Sequence, residues 1–270
     1  MRGRRLLSLT AFPGARHNRG MTDPQESRAD IEHSHSPHAI AARLQDGPTV
    51  SYLRDWVFGG IDGAVTTFAV VAGVAGAALP TQIVLILGAA NLMADGFSMA
   101  AGNYSGVKAE KDDYRRLKEM ELRHIKYAPE GEREEIRQIF AAKGFEGDDL
   151  ERAVEIITDS NERWVRVMLE EEHGAPKVER SALKAGLVTF AAFFVCGAVP
   201  LLPYLFGSGE GAFVAAIAMT GSVFLAIGAL KSKWSMAPWW TSALETFAIG
   251  MAAAGFAYAV GALLKGWVGV

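Results

Sequence analysis

The sequence has a single cysteine, Cys196, which lies in an apolar segment. One cysteine excludes an intrachain disulfide and a cysteine-based zinc site. The sequence also lacks a basic stripe with interleaved aromatic residues, which argues against nucleic acid as a partner. Charged residues are scarce in 56–104 and 181–270, where long apolar runs dominate. The scarcity of charge in these long apolar runs therefore favours a chain whose main environment is a lipid bilayer.

The charge that the apolar runs lack is concentrated between them. Residues 108–180 contain 15 Lys and Arg against 20 Asp and Glu, a net charge of −5, although the whole chain carries only −3. This segregation predicts membrane segments on either side of an aqueous insert. The predicted divisions are a tail at 1–47, spans at 48–107, the insert at 108–180 and further spans at 181–270.

The predicted fold class is an all-α membrane protein with five transmembrane helices. Each apolar run is long enough, at 1.5 Å per residue, to cross about 30 Å of hydrocarbon. Pro200 and Pro203 are expected to interrupt the third helix near its end. The helices are predicted at 56–79, 83–104, 183–206, 211–230 and 242–264.

The distribution of basic residues predicts the orientation. The turns after the first and third spans have no Lys or Arg, whereas Lys231 and Lys233 lie between the fourth and fifth, and basic residues flank the insert. The positive-inside rule then places the N-terminus and the insert in the cytoplasm and the C-terminus on the opposite side. Because no organelle signal stands out, we expect a bacterial inner membrane rather than a vacuole.

The tail at 1–47 is predicted to be disordered or processed. Its first 20 residues resemble a signal peptide with a short apolar core, and an over-extended start upstream of Met21 fits equally well. His33, His35 and His38 form a short tract that either captures metal weakly or belongs to a solvated polar tail.

The insert is predicted to contain three helices. The first continues the second span to residue 127, the second covers 130–143, and the third covers 148–173 with Asp148 as its N-cap. Each helix carries a polar pair at a spacing that places both side chains on one face. Carboxylates with an imidazole suit Fe²⁺, Mn²⁺, Co²⁺ or Zn²⁺, while a solvated acidic surface is the alternative for any one pair. The pairs are Glu121 with His124, Glu132 with Glu135, and Met168 with Glu172.

Polar residues also occur within the first two spans. Asp62 lies in the first, and Asn91, Asp95 and Met99 follow one another at four-residue spacing in the second. An ionisable group inside a bilayer costs at least about 2.5 kcal/mol, so it is expected to face a partner, a cavity or a pathway. Two carboxylates there are able to hold a divalent cation and exchange it for protons. The alternatives are that Asp62 caps a neighbouring helix and that Met99 only fills space.

Two motifs carry a family resemblance. DWVFGGIDGAVTTFAVVAGVAGA at 55–77 and ANLMADGFSMAAGNYSGVKAEKDDY at 90–114 resemble the first two spans of the vacuolar iron transporter family, which is related to yeast vacuolar iron and manganese transporters. The resemblance covers residues 52–270. It implies a homodimer that moves Fe²⁺ out of the cytoplasm in exchange for protons, along a path between the first spans at the dimer interface. Mn²⁺ and Co²⁺ are further expected cargoes.

The resemblance also implies roles for particular residues. Asp62 and Met99 would bind the ion in the membrane, and Asp55 matches an acidic position at the cytoplasmic end of the first span. The matching metal ligands of the insert would be Glu121, Glu132, Glu135, Met168 and Glu172.

Four positions depart from the family pattern. His124 stands where a glutamate is expected and Leu169 where a second methionine is common, which implies fewer or differently tuned ions in the insert. Ser51 and Asn91 stand where some members have acidic side chains, which implies a less negative route into the membrane.

Two other functions compete with transport. Glu121-x-x-His124 has the spacing of di-iron bundles, so the insert could be a ferritin-like oxidase or storage module on a membrane anchor. That site needs a second such motif, and the other helices offer only Glu-x-x-Glu and Met-x-x-x-Glu. A non-transporting scaffold would leave the aspartates in the spans unexplained. The sequence therefore favours a transporter over an enzyme, with no resident cofactor and with lipid, protons, divalent ions and a second copy as partners.

Overall fold

The computed structural model describes residues 34–47, 49–175, 180–234 and 236–268, and every regular element within them is helical. The chain divides into two compact units, Met1–Thr49 and Val50–Val270. The described part of the first unit contains helix α1 (Pro37–Asp46), where the Ser36 hydroxyl accepts a hydrogen bond from the Ala39 N–H at 3.3 Å. This helix differs from the disorder predicted for the tail. Residues 1–33, including His33, lie outside the described residues.

The second unit contains the predicted spans. Five of its helical segments are long and apolar enough to cross a membrane, which confirms an all-helical integral membrane protein. The third span is interrupted at Pro200 by a 3₁₀ turn (Val199–Leu201), as its two prolines predict. The helices are α2 (Leu53–Gly76), α3 (Thr81–Tyr127), α7 (Ala182–Ala198) with α8 (Leu202–Phe206), α9 (Gly209–Lys231) and α10 (Trp239–Val268).

Helix α3 runs without a break from the membrane-spanning part of the chain into the charged segment, residues 108–180. Its 47 residues make it about 70 Å long at 1.5 Å per residue. No proline interrupts it between Pro80 and Pro129, and Arg116 pairs with Asp113 at 2.8 Å on its polar half. The predicted continuation of the second span to residue 127 is therefore confirmed.

Among the described residues of the charged segment (108–175 and 180), three further helices follow α3. These are α4 (Pro129–Ala142), α5 (Gly147–Thr158) and α6 (Asn161–Glu171). The single helix predicted over 148–173 is therefore wrong, since Ser160 is extended with φ −131° and ψ 118°. The break falls within four consecutive residues whose side chains compete with helical hydrogen bonds, Thr158, Asp159, Ser160 and Asn161. The Thr158 hydroxyl, for example, donates to the Val154 carbonyl at 2.9 Å.

The N-cap predicted at Asp148 also differs from the structure. Helix α5 begins one residue earlier at Gly147, and its N-cap Glu146 makes no side-chain capping hydrogen bond. Asp148 instead lies in the first turn, where a carboxylate still interacts favourably with the helix dipole.

The charged segment has its own apolar core. Ile136, Val154 and Met168 are fully buried, each on a different helix, and Leu169 is 1% exposed beside them. Burying side chains of this size contributes about 1.5–3 kcal/mol each. Helices α4, α5 and α6 are thereby packed together with the C-terminal half of α3, whose Leu117 and Ile125 belong to the same core, and this scaffold positions the acidic side chains.

Helix α2 is the central element of the membrane segment, packed against α3, α7, α9 and α10. Its contact with α7 is close because glycines face it. A Cβ atom on Gly59 would collide with the Thr189 carbonyl oxygen, and one on Gly63 with that of Phe193. Small residues allow helix backbones to approach in this way, so the glycines set the distance between the first and third spans.

We expect Gly63→Ala to destabilise the protein, because its new methyl group meets the α7 backbone, which cannot rotate away. Overpacking costs about 1–3 kcal/mol, and a backbone collision belongs at the upper end. Gly255→Ala on the membrane-spanning helix α10 is the matched control, since no atom lies within 4 Å of its added Cβ. Thermal unfolding of the purified variants in detergent measures the difference. Equal melting temperatures for both would contradict the close α2–α7 packing.

Candidate metal centre and membrane path

Two helices of the charged segment bring three predicted ligands together. Glu121 on α3 is 1% exposed and Glu132 on α4 is 4% exposed. His124 Nδ1 lies 3.2 Å from Glu132 Oε1. One ligand atom from each of Glu121, His124 and Glu132 lies within 4.8 Å of the other two. The i, i+3 pair on α3 thus meets the first residue of the pair on α4, as a shared metal site requires.

A second group, which the sequence alone did not reveal, also contains Glu121. His173 Nε2 is 2.8 Å from Glu121 Oε1 and 3.6 Å from Glu172 Oε2. Ligand atoms of Glu121, Glu172 and His173 also lie within 4.8 Å of one another. The only signal for His173 in the sequence is its place beside Glu172 at a predicted helix end.

Two carboxylate oxygens in these groups have no hydrogen-bond partner among the described residues. They are Glu121 Oε2 and Glu132 Oε2, and both are buried. An unsatisfied buried polar group costs about 1–3 kcal/mol, and more when it is charged. Oxygen and nitrogen donors gathered around unsatisfied carboxylate oxygens match the ligand preferences of a divalent first-row cation.

Burial and mutual repulsion raise the pKa values of two carboxyl groups in this cluster, those of Glu132 and Glu172. Burial, followed by repulsion from Glu121 and Glu135, raises the pKa of Glu132 from its ordinary 4.5 to about 8. Burial also raises the pKa of Glu172, with Glu135 and Glu121 adding to the shift while His173 opposes it. A dication would replace the proton on such carboxylates, so metal binding is coupled to proton release.

We expect the metal-free protein to lose stability as pH rises from about 4.5 to 8, because the fold favours protonated Glu132. Stability from this group is fully present below its ordinary pKa and is lost as pH passes about 8. Melting temperatures at a series of pH values measure the effect, and Glu132→Gln should flatten the profile. Glu134→Gln is the control, because Glu134 is exposed and paired with Arg137. A profile unchanged in Glu132→Gln would contradict the assignment.

The other two predicted ligands of the insert have different surroundings. Glu135 is exposed and acts on Glu132 and Glu172 through its charge. Met168 is fully buried in the apolar core of the charged segment, where Leu169 packs beside it. Leu169 therefore fills core volume at the position where the family pattern has a second methionine.

Within the membrane, the predicted residues lie on α2 and α3. Asp62 is half-buried on α2, and Asp95 on α3 is exposed in the single chain but close enough to repel Asp62 electrostatically. The Asn91 amide donates to the Thr66 and Thr67 hydroxyls at 3.3 and 3.5 Å. Met99 is partly buried against the membrane core. The two aspartates thus lie on neighbouring helices, and Asn91 links these helices by its hydrogen bonds.

Asp55 is engaged by other side chains, in contrast to an open metal ligand. It is 4% exposed, and Arg180 Nη2 lies 2.5 and 2.7 Å from its two carboxylate oxygens. Asn103 donates to Asp55 at 2.8 Å and to the Thr189 hydroxyl at 2.7 Å. Nearby, the Tyr52 hydroxyl accepts the Ser181 N–H at 2.8 Å. These contacts tie the N-terminal ends of α2 and α7 to the middle of α3.

Asn103 extends the polar row that the sequence analysis identified. It follows Asn91, Asp95 and Met99 at the same four-residue spacing, so the row on α3 ends at the Asp55 contact. Glu121 lies further along the same helix, about 27 Å beyond Asn103 at 1.5 Å per residue. A cavity of about 200 Å³ opens beside this contact and is lined by Asp55, Asn103 and Arg180. One helix therefore connects the row of polar residues in the membrane to the acidic cluster, which consists of Glu121, His124, Glu132, Glu172 and His173.

The fold and these groups define an integral membrane protein with polar residues inside its spans and an acidic, imidazole-containing helical segment outside them. The VIT family matches residues 53–262. The chain belongs to the VIT family, as the two motifs predict.

Several named relatives align over most of the chain. Vacuolar iron transporter 1 of Oryza sativa subsp. japonica is 31% identical over 233 residues, covering 85% of this chain and 91% of that protein. Vacuolar iron transporter 1 of Tulipa gesneriana is 30% identical over 243 residues, covering 89% and 96%. The vacuolar iron transporter of Toxoplasma gondii is 36% identical over 229 residues, covering 81% and 76%. These relatives are named as transporters, not as enzymes.

Proposed function

We propose that this protein is a proton-coupled antiporter that exports Fe²⁺ from the cytoplasm, with Mn²⁺ and Co²⁺ as further cargoes. The observation that carries the proposal is the occurrence of two carboxylates, Asp62 and Asp95, on neighbouring membrane-spanning helices and close enough for their charges to interact. Two like charges in a bilayer are costly unless a cation or protons neutralise them. Alternating between these two states is the chemistry of metal–proton exchange. Membership of the VIT family and the names of its relatives support iron as the cargo.

The ion would first be captured by the charged segment. Glu121 and Glu132 supply buried oxygens without partners, and His124 supplies a nitrogen at their edge. Glu135, being exposed, would attract cations towards this cluster. Met168 would contribute only through a change of side-chain position, because its side chain is enclosed by the core. Protons released on capture would return to the cytoplasm.

The ion would then pass Asp55 on its way to Asp62 and Met99. Arg180 already neutralises Asp55, so an incoming dication has to displace that guanidinium. The Arg180 side chain is 29% exposed, which leaves it a route away from the carboxylate. Arg180 would thus close the cytoplasmic mouth until a cation replaces it.

A second copy of the chain would complete the path. On α2, Phe58, Asp62, Val65, Ala69 and Gly73 share one face, and none of them is buried in the single chain. Asp95 on α3 is likewise exposed, and a carboxylate facing lipid alone would cost at least about 2.5 kcal/mol. A homodimer with this α2 face at its interface would enclose both aspartates, in agreement with the path that the family resemblance implies.

The orientation follows from the basic residues. The Lys231–Glu245 ion pair at 3.1 Å joins the last residue of α9 to the first part of α10. The order of the spans puts this end of α9 on the same side of the membrane as the charged segment. We propose that this side is cytoplasmic, with the C-terminus opposite. The relatives are named as vacuolar proteins. The bacterial inner membrane expected for this chain stays a prediction.

The ferritin-like alternative receives less support. Glu121, His124 and Glu132 form one three-residue group, but the second group contains Glu172 and His173 as neighbours in sequence and not as Glu-x-x-His. Rapid oxygen consumption on adding Fe²⁺ to the purified protein would favour the alternative over transport.

Transport by the purified protein tests the proposal. Proteoliposomes with an imposed pH gradient, acidic inside, should accumulate Fe²⁺ from the medium, and collapse of the gradient with an ionophore should slow uptake. Mn²⁺, Co²⁺ and Zn²⁺ measured in the same vesicles give the cargo range. Uptake no faster than in protein-free vesicles for all four ions would overturn the proposal.

A further inference from the structure

The side chain of His173 occupies a place that its sequence neighbours do not explain. Glu171, two positions before it, is exposed and pairs with Lys143 at 2.7 Å. His173 turns the other way, towards fully buried Glu121, and its side chain is only 18% exposed. The imidazole therefore lies against the acidic cluster rather than in solvent.

The end of α6 fixes this position. The His173 N–H donates to the Met168 carbonyl at 3.3 Å, and the Ala175 N–H donates to the Leu169 carbonyl at 2.8 Å. Between them, Gly174 adopts φ +59°, which a side chain would resist. The backbone on both sides of His173 is thus anchored to the buried residues Met168 and Leu169, and the ring is held at the cluster.

We infer that His173 is a metal ligand which, with Glu121 and Glu172, forms a nitrogen-containing site for a borderline divalent cation such as Zn²⁺ or Co²⁺. The inference rests on the proposed metal binding by the charged segment, and it adds which divalent ions that segment prefers. The three ligand atoms already lie within 4.8 Å of one another, and Glu121 Oε2 is a buried oxygen with no partner among the described residues. The approach of a cation between them would replace the His173–Glu121 hydrogen bond with two bonds to the metal.

The identity of the donors determines which ions the site prefers. Carboxylate oxygens alone suit Mn²⁺ and Mg²⁺, whereas imidazole nitrogen favours Zn²⁺, Co²⁺ and Fe²⁺. His124 supplies a second imidazole, in the other three-residue group that contains Glu121, and its Nδ1 lies 3.2 Å from Glu132 Oε1. With an imidazole in each three-residue group, the cluster of this chain should discriminate against Mn²⁺ more than an all-carboxylate cluster would.

His173→Gln is the decisive variant, because its amide can still donate a hydrogen bond to Glu121 but is a poor metal ligand. In the full-length protein in detergent, competition with a chelating dye should show Zn²⁺ affinity falling about tenfold or more. Mn²⁺ affinity should change less than about threefold, because nitrogen contributes little to its binding. With Co²⁺ as probe, the visible absorption bands of the parent should shift or weaken in the variant. Glu171→Gln, which removes a nearby charge that points elsewhere, should leave all three unchanged.

The inference would be overturned by a His173→Gln protein that melts like its parent and keeps both the parental ratio of Zn²⁺ to Mn²⁺ affinity and the parental Co²⁺ spectrum. An equal effect of Glu171→Gln would do the same, since it would show a general charge effect. Either result would leave the proposed function intact if the parent still transports Fe²⁺ in vesicles. A parent that binds Zn²⁺ through His173 but transports no ion would instead overturn only the proposed function.

Discussion

Asp62→Asn is expected to abolish metal transport while leaving metal binding by the charged segment intact. Asparagine keeps the shape of the side chain but can neither neutralise a dication nor carry a proton. Truncating one partner of a buried contact between opposite charges, here the proposed contact of the Asp62 carboxylate with the cation, costs about 2–5 kcal/mol. This cost corresponds to at least about a 30-fold loss of affinity for the cation. On the proposed path the ion binds at Asp62 to cross, so the rate of Fe²⁺ uptake by proteoliposomes should fall by at least this factor.

The control for this variant is Asp113→Asn. Asp113 is an exposed carboxylate on α3 that pairs with Arg116 at 2.8 Å in the charged half of the helix. Exposed pairs contribute at most about 1 kcal/mol, so transport should continue at the parental rate. Zn²⁺ binding by the acidic cluster should be parental in both variants, because neither Asp62 nor Asp113 belongs to that cluster. Parental uptake by Asp62→Asn would remove this aspartate from the path.

Arg180→Gln is expected to destabilise the metal-free protein strongly and to increase the stabilisation that divalent ions confer. Asp55 is 4% exposed, and the variant leaves its carboxylate without a cationic partner. Breaking a buried ion pair from one side costs about 3–5 kcal/mol. A dication is then able to occupy the vacated position without displacing a guanidinium, so the rise in melting temperature on adding Mn²⁺ or Fe²⁺ should exceed that of the parent.

The double variant Asp55→Asn with Arg180→Gln separates charge from packing. It leaves no unpaired carboxylate, so it should melt above Arg180→Gln and lose the additional metal response. Arg116→Gln is the surface control, expected to shift stability by about 1 kcal/mol or less. A metal response in Arg180→Gln equal to that of the parent would contradict the role of Arg180 as the group that an incoming ion displaces.

The membrane architecture was predictable because its signal is local. Long apolar runs identify the spans whatever they pack against, and the two prolines of the third span end α7 at Ala198. The break between α5 and α6 was also readable in principle. Four consecutive residues from Thr158 favour non-helical hydrogen bonds, but the regular apolar spacing across them indicated a continuous helix.

Long-range pairings were not predictable in this way. Asp55 and Arg180 are 125 positions apart, and Glu121 and His173 are 52 apart. Spacing within one helix says nothing about either contact, so the contact of Asp55 with Arg180 was not predicted and His173 was overlooked. Asn103 could have been found, because it continues the four-residue row of Asn91, Asp95 and Met99 on the same helix.

Simultaneous recording of Fe²⁺ entry and internal pH in the same proteoliposomes tests the central claim most directly: that a dication and protons trade places at the carboxylates between α2 and α3. With an acidic interior and no other gradient, each increment of iron entering should be accompanied by alkalinisation inside, and both signals should disappear together in Asp62→Asn. Iron entry with a steady internal pH, or proton efflux that persists unchanged without added metal, would contradict it.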